Sequence, residues 1–160
     1  MIRWNHFNIL PNLVLLYLEE HCYEGEALHF KAGGFCKLKG LLISDLDKLK
    51  WIIVEKGSME MLEDFSIFDC KSMMDLPSGI EYLSSLWSIQ LSNTSDELMR
   101  KLQQHQDANI ENEKCLGLKG DGVKSEQVPK IIRVILNSWR NDEFIVETTE
   151  YYVMKDFNRE

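Results

Sequence analysis

The chain has 160 residues, enough for one domain with a sizeable core. Its 26 acidic and 18 basic residues leave a net charge of −8, which argues against nucleic acid or an anionic membrane as the main partner. Hydrophobic residues make up 44% of the chain, which is ordinary for a globular protein and indicates neither disorder nor a membrane protein. No apolar run reaches the roughly 20 residues of a membrane span. Cys22, Cys36, Cys70 and Cys115 are scattered with no C-x-x-C, so neither a disulfide framework nor a zinc site is expected. Reduced thiols suit a cytoplasmic setting. The first residues, MIRWNHFNILPNLVLLYLEE, lack the basic and long apolar regions of a signal peptide. The sequon Asn93-Thr94-Ser95 is therefore not read as a glycosylation site.

In chain order, one spacing returns. The template L-x-x-L-x-x-L-x-L fits at Leu10, Leu13, Leu16 and Leu18, then at Phe35, Leu38, Leu41 and Ile43. It fits again at Met59, Leu62, Phe65 and Ile67, and at Leu83, Leu86, Ile89 and Leu91. The fits start at positions 10, 35, 59 and 83, a nearly constant step. A fifth fit, Val128, Ile131, Val134 and Leu136, starts too late and is out of register. The step is the period of a leucine-rich repeat. The expected fold is an α/β solenoid with short parallel strands on its concave face, about four to five repeats and a C-terminal cap. The last apolar positions of each coil lie on a strand and point inward. Burying each such residue contributes about 1.5–3 kcal/mol, and truncating one to alanine costs about 2–5 kcal/mol.

Between the strands, Gly33-Gly34 and Gly57 allow the chain to turn, while Leu46, Leu49 and Ile52 continue inward as a looser convex segment. Cys70 falls where the repeat takes Asn or Cys, as a small buried turn filler. Pro77 fixes φ and Gly79 frees it at the convex bend. Residues 95–104 read as a short amphipathic helix with Ser95 as N-cap and Leu98, Met99 and Leu102 on one face. Residues 105–127 read as a polar mobile loop. Strands are expected at Pro129–Leu136 and Glu143–Val153. The expected organisation is repeats over 1–94, helix and loop insert over 95–127, and capping strands over 128–160. Trp4, Phe7 and Ile9 would cover the N-terminal coil only in part, as in the C-terminal piece or truncated relative of a longer horseshoe.

No constellation supports catalysis, a cofactor or a metal. Gly117 to Ser125 glances at a phosphate loop, but Val123 separates the last glycine from Lys124 and no strand precedes it. His21, Cys22 and His29 match no metal spacing. Asp45, Asp47, Asp64 and Asp69 have no partner nucleophile and read as a solvated face. The better functional candidate is the concave face. Its outward strand positions are Tyr17, Leu42, Ser66, Gln90 and Ile135, with Glu19, Ser44, Phe68, Ser92 and Asn137 beside them and Asp64 and Trp87 as flanks. Aromatic groups among acidic and small polar ones suit protein binding. Packing of Phe68 and Trp87 along the solenoid or against another domain is the plainer alternative.

The phrases themselves resemble a family. Leu10-Pro11-Asn12-Leu13-Val14, then Leu28 to Lys39 (LHFKAGGFCKLK), Leu46 to Gly57 (LDKLKWIIVEKG), and Leu76-Pro77-Ser78-Gly79-Ile80 with Leu83 stand in this order. Together they are similar to the C-terminal end of plant coiled-coil-type nucleotide-binding leucine-rich-repeat disease-resistance proteins, over about residues 10–104. Cys36 departs from that pattern's proline, Ser58 to Met61 from its "AMPxL", and 105–127 lacks its "DYWKVxHxP". The resemblance implies a non-enzymatic, cytoplasmic recognition and regulatory module of an immune receptor, without the coiled-coil and nucleotide-binding domains. Its implied partner is a protein: a pathogen effector, a guarded host protein or the receptor's own nucleotide-binding domain. A free-standing leucine-rich-repeat scaffold, adaptor or decoy is the alternative.

Overall fold

The computed structural model describes residues 10–104, 130–140 and 143–153. The loop over 105–127, with its glycine-rich stretch and Cys115, and the N-terminal Trp4, Phe7 and Ile9 lie outside the described residues.

Alternating side chains make each strand one-sided, and the coil length brings the strands into line. The strands β1 (Leu15–Leu18), β3 (Gly40–Ser44), β5 (Asp64–Phe68), β6 (Ser88–Ser92) and β7 (Lys130–Arg140) pair in parallel in that order. An antiparallel strand, β8 (Glu143–Val153), follows β7 at the end of the sheet. This is the leucine-rich-repeat solenoid expected from the spacing. The inward residues stack across the sheet: Leu18, Ile43, Ile67, Leu91 and Leu136 are register partners in turn, and all are buried. Every template position of the second, third and fourth fits is buried. In the first fit Leu16 and Leu18 are buried, Leu13 is half-buried and Leu10 is exposed. Of the out-of-register fifth fit, Val134 pairs with Ile89 and Leu136 with Leu91, while Val128 lies outside the described residues.

The segments between these strands are more ordered than the looser convex path expected from sequence. Two further strands, β2 (Ala27–Phe30) and β4 (Trp51–Val54), form a second parallel sheet. Leu28, Phe30, Ile52 and Val54 point into the core and are buried, with Phe30 and Phe35 packed edge-on at 5.7 Å. In the next coil this sheet shrinks to one bridge, Ile53 with Ser78. The Ser78 N–H donates to the Ile52 carbonyl at 2.9 Å and the Val54 N–H to the Ser78 carbonyl at 2.9 Å. Pro77 has no N–H to extend the ladder. Gly79 adopts φ +81, and a Cβ there would stand 1.9 Å from the Val54 carbonyl oxygen. A one-turn 3-10 helix, Ile80–Tyr82, follows.

Left-handed residues mark the corners. Asp45, Asp69 and Asn93, each one residue past its strand, all have φ near +50. The Asp45 N–H donates to the Phe68 carbonyl and the Asp69 N–H to the Ser92 carbonyl. Between β1 and β3 the register offset is 25 (Leu18 to Ile43), but between β2 and β4 it is 24 (Ala27 to Trp51). The first coil thus holds one extra residue between Leu18 and Ala27, and two consecutive left-handed residues, Glu20 and His21, lie there. Past this corner, Cys22, Leu46 and Cys70 occupy the same place in successive coils. Cys70 is fully buried, and burial pushes its thiol up to about 11.

Polar side chains follow the same period. Lys39 pairs with Glu63, Lys48 with Glu24 and Lys50 with Glu26, each one coil away, at 3.1, 3.2 and 2.8 Å. These pairs are exposed and contribute little each. Glu55 is better held: it accepts the Ala32 N–H at 2.8 Å and pairs with His29 at 2.9 Å. The Ala32 bond foremost, then His29, hold its carboxyl below the usual range. After β6 a helix runs over 96–104. Ser95 caps it by accepting the Leu98 N–H at 3.1 Å and also bonds the Met73 carbonyl. Leu98 and Leu102 seat the helix on the core, with Met99 half-buried beside them.

Three measurements test this packing. Gly79→Ala combines left-handed strain with overlap on the Val54 carbonyl and is expected to lose about 3 kcal/mol or more in urea unfolding. Ser58 is fully buried, and its hydroxyl finds no hydrogen-bond partner among the described residues. Ser58→Ala removes that orphan and is expected to gain about 1 kcal/mol, seen as a higher melting midpoint. Iodoacetamide labelling of the native chain, read by mass spectrometry, is expected to modify exposed Cys36 and spare Cys70 until denaturant is added.

Candidate functional site

The outward side chains of the main sheet form rows because its strands pair without stagger beyond the coil period. Tyr17, Leu42, Ser66, Gln90 and Ile135 are successive register partners. A second row runs Ser44, Phe68, Ser92 and Asn137. Glu19 stands just past the end of β1 at the head of this row. Adjacent members of a row are about 4.8 Å apart, so a partner laid across the strands meets several at once. Tyr17 is 59% exposed, the most open large hydrophobic side chain of the group. Glu19, Asp64 and Gln90 are also exposed, whereas Leu42, Ser44, Ser66, Phe68 and Ser92 are half-buried between their neighbours.

A third row, not singled out from sequence, runs Leu15, Gly40, Asp64, Ser88 and Arg133. Two-residue alternation backward from Tyr17 would have found it. Leu15 is exposed, and its Cδ2 lies 2.7 Å from where a Cβ on residue 40 would stand, so Gly40 leaves room for it. Asp64 belongs to this row. Trp87 does not lie on the three rows. It precedes Ser88 and has the parity of inward Ile89 and Leu91, but it stands beyond the core edge, 55% exposed. Its carbonyl accepts the Arg133 N–H at 3.0 Å, as the Val14 carbonyl accepts Gly40 and the Lys39 carbonyl accepts Asp64. Trp87 therefore stands with Val14, Lys39 and Glu63 along the strand starts.

The face offers apolar and aromatic contact, two carboxylates and small hydrogen-bonding groups. The other aspartates serve locally: Asp45 accepts from the Ser44 hydroxyl at 2.6 Å, Asp69 accepts from Asn93, and Asp47 pairs with His21 at 3.4 Å. His21 and His29 go to different carboxylates rather than to a shared centre. Among the described residues, no three His, Cys, Asp or Glu side chains are grouped to hold a metal. Among them too, no helix is long and apolar enough to cross a membrane.

No family model matches the chain, and no solved structure matches it. Curated relatives do. Disease resistance RPP8-like protein 3 of Arabidopsis thaliana is 33% identical over 93 residues, which are 58% of this chain and 10% of that protein. Putative disease resistance protein At1g59780 of the same plant is 35% identical over 92 residues, again 58% of this chain and 10% of its own length. Probable disease resistance protein At1g58390, also from Arabidopsis thaliana, is 37% identical over 78 residues, 49% of this chain and 8% of its own length. The chain thus spans about a tenth of the length of these relatives. Over more than half its length the chain is thus similar to plant disease-resistance proteins, as its motifs resemble them.

Proposed function

We propose that this chain is a non-enzymatic recognition and regulatory module of an intracellular plant immune receptor, acting in defence against pathogen effectors. One observation carries the reading. Strands locked in register present Tyr17, Leu42 and Phe68 among Glu19, Ser44, Asp64, Ser66, Gln90 and Ser92 on one continuous face. Rigid strands hold these groups with little entropy left to lose on binding. Trp87 borders the face at the strand starts. The disease-resistance relatives support a defence role for the chain.

The face takes a protein partner, and the receptor's own nucleotide-binding module is the one to test first. Contact there would hold the receptor inactive, and an effector or guarded host protein would compete for the same rows. Tyr17 is the expected anchor, as an exposed aromatic on β1, the first strand of its row.

The chain, co-expressed with the coiled-coil and nucleotide-binding segment of a homologous disease-resistance protein, is expected to co-purify with it. Tyr17→Ala is expected to weaken that contact by about tenfold or more, while its melting midpoint stays within the equivalent of about 0.5 kcal/mol. Capture of unrelated proteins alone, with none of the nucleotide-binding segment, would sink the receptor reading in favour of a free-standing scaffold. Binding untouched by Tyr17→Ala would remove the strand face from it.

A further inference from the structure

Away from the strand face, beside the second sheet, lies a groove of about 500 Å³. Trp51 and Ile53 of β4 form one wall, because β4 alternates and sends only Ile52 and Val54 inward. Leu76 and Pro77 of the next coil form the other. Trp51 is 44% exposed, an indole left in water beside the small Ala27 with which it pairs on β2. Among the described residues, no side chain of a neighbouring coil fills this apolar slot.

The polar groups of the groove are nearly all committed. The N–H and hydroxyl of Ser78 both donate to the Ile52 carbonyl. The Val54 N–H is taken by the Ser78 carbonyl. The β4 backbone therefore offers no open edge to an added strand here. Asp75 accepts the Leu76 N–H at 2.9 Å through one oxygen and Lys101 at 2.9 Å through the other. Glu81 also lines the groove, and among the described residues no ion pair or hydrogen bond engages its carboxylate. An indole face and one uncommitted anion, set in an apolar slot, are complementary to a flat cation between apolar groups.

We propose that this groove docks a segment of another protein in which an arginine is flanked by apolar side chains. The guanidinium lies against Trp51 and pairs with Glu81, and the flanking side chains fill the slot between Ile53 and Pro77. Arginine suits the site better than lysine, since its plane stacks on indole while its edge donates to a carboxylate. Recognition is by side chains, because the backbone on this wall is already paired. The net charge of −8 steers such a segment toward the chain. The groove lies apart from the Tyr17 rows, so this site and the strand-face reading stand or fall separately.

The test uses the full 160-residue chain and two fluorescein-labelled peptides read by anisotropy. One carries an arginine flanked by leucines, and the other has neutral citrulline in its place. The arginine peptide is expected to bind more tightly. Trp51→Ala is expected to weaken it about tenfold. Glu81→Gln is expected to weaken it about threefold and leave the citrulline peptide unchanged. Glu60→Gln removes the same charge from an exposed site outside the groove and is expected to change nothing, as is Tyr17→Ala. Absence of binding, equal binding of the two peptides, or equal losses from Glu60→Gln and Glu81→Gln would overturn the proposal. So would indifference to Trp51→Ala in a variant whose melting midpoint matches the wild type.

Discussion

Parallel pairing at a fixed coil length is the constraint from which the other features follow. A strand that alternates by two can bury only one side, and a single coil cannot cover that side alone. Stacking at this coil length sets Leu18, Ile43, Ile67 and Leu91 in line and closes the core between neighbours. The corners must then repeat too. That is why Asp45, Asp69 and Asn93 share a left-handed conformation that side chains normally avoid. Aspartate and asparagine bear it better than most residues, since their short polar side chains bond nearby. The ion pairs between neighbouring coils are a consequence of this register rather than its cause. They are exposed, and their energies are small beside the buried leucines.

The same constraint separates the two surfaces. On the strand face, register turns single residues of successive coils into rows, so the contact surface is built from residues one whole coil apart in sequence. On the opposite flank the repetition is imperfect. β2 and β4 pair fully, but the third coil meets β4 at Ser78 alone. Pro77 and Gly79 interrupt what would have been a third strand, and the interruption opens the groove beside Trp51. One surface exists because the repeat is kept, the other because it is broken.

Much of this is legible in the sequence, for a physical reason. Both periods, the alternation along a strand and the coil length along the chain, are written in apolar residues whose burial is obligatory. The outward rows then follow by counting, and Tyr17, Leu42, Ser66 and Gln90 can be placed together without coordinates. The second sheet is not legible in this way. Leu28 with Phe30, and Ile52 with Val54, alternate over only four residues each and look like a continuation of the inward spacing. Nothing local says that the two pairs face each other one coil apart. Trp87 invites a place beside the rows, as an aromatic near a strand, but its parity belongs to the core side. The groove is illegible for a different reason. Trp51 and Glu81 belong to different coils, and only the wrap of the chain and the committed bonds of Ser78 and Asp75 leave them on one slot with Glu81 uncommitted.

The paired left-handed residues Glu20 and His21 show where such a chain tolerates a change of length. A residue added within a strand would exchange its two faces and bring polar side chains into the core. Added at this corner, it is taken up by the backbone before β2, and the pairing of Ala27 with Trp51 is untouched. Coils of unequal length can therefore be joined without disturbing their neighbours. Variation in such a solenoid can accumulate at its corners, while the rows that a partner reads stay aligned.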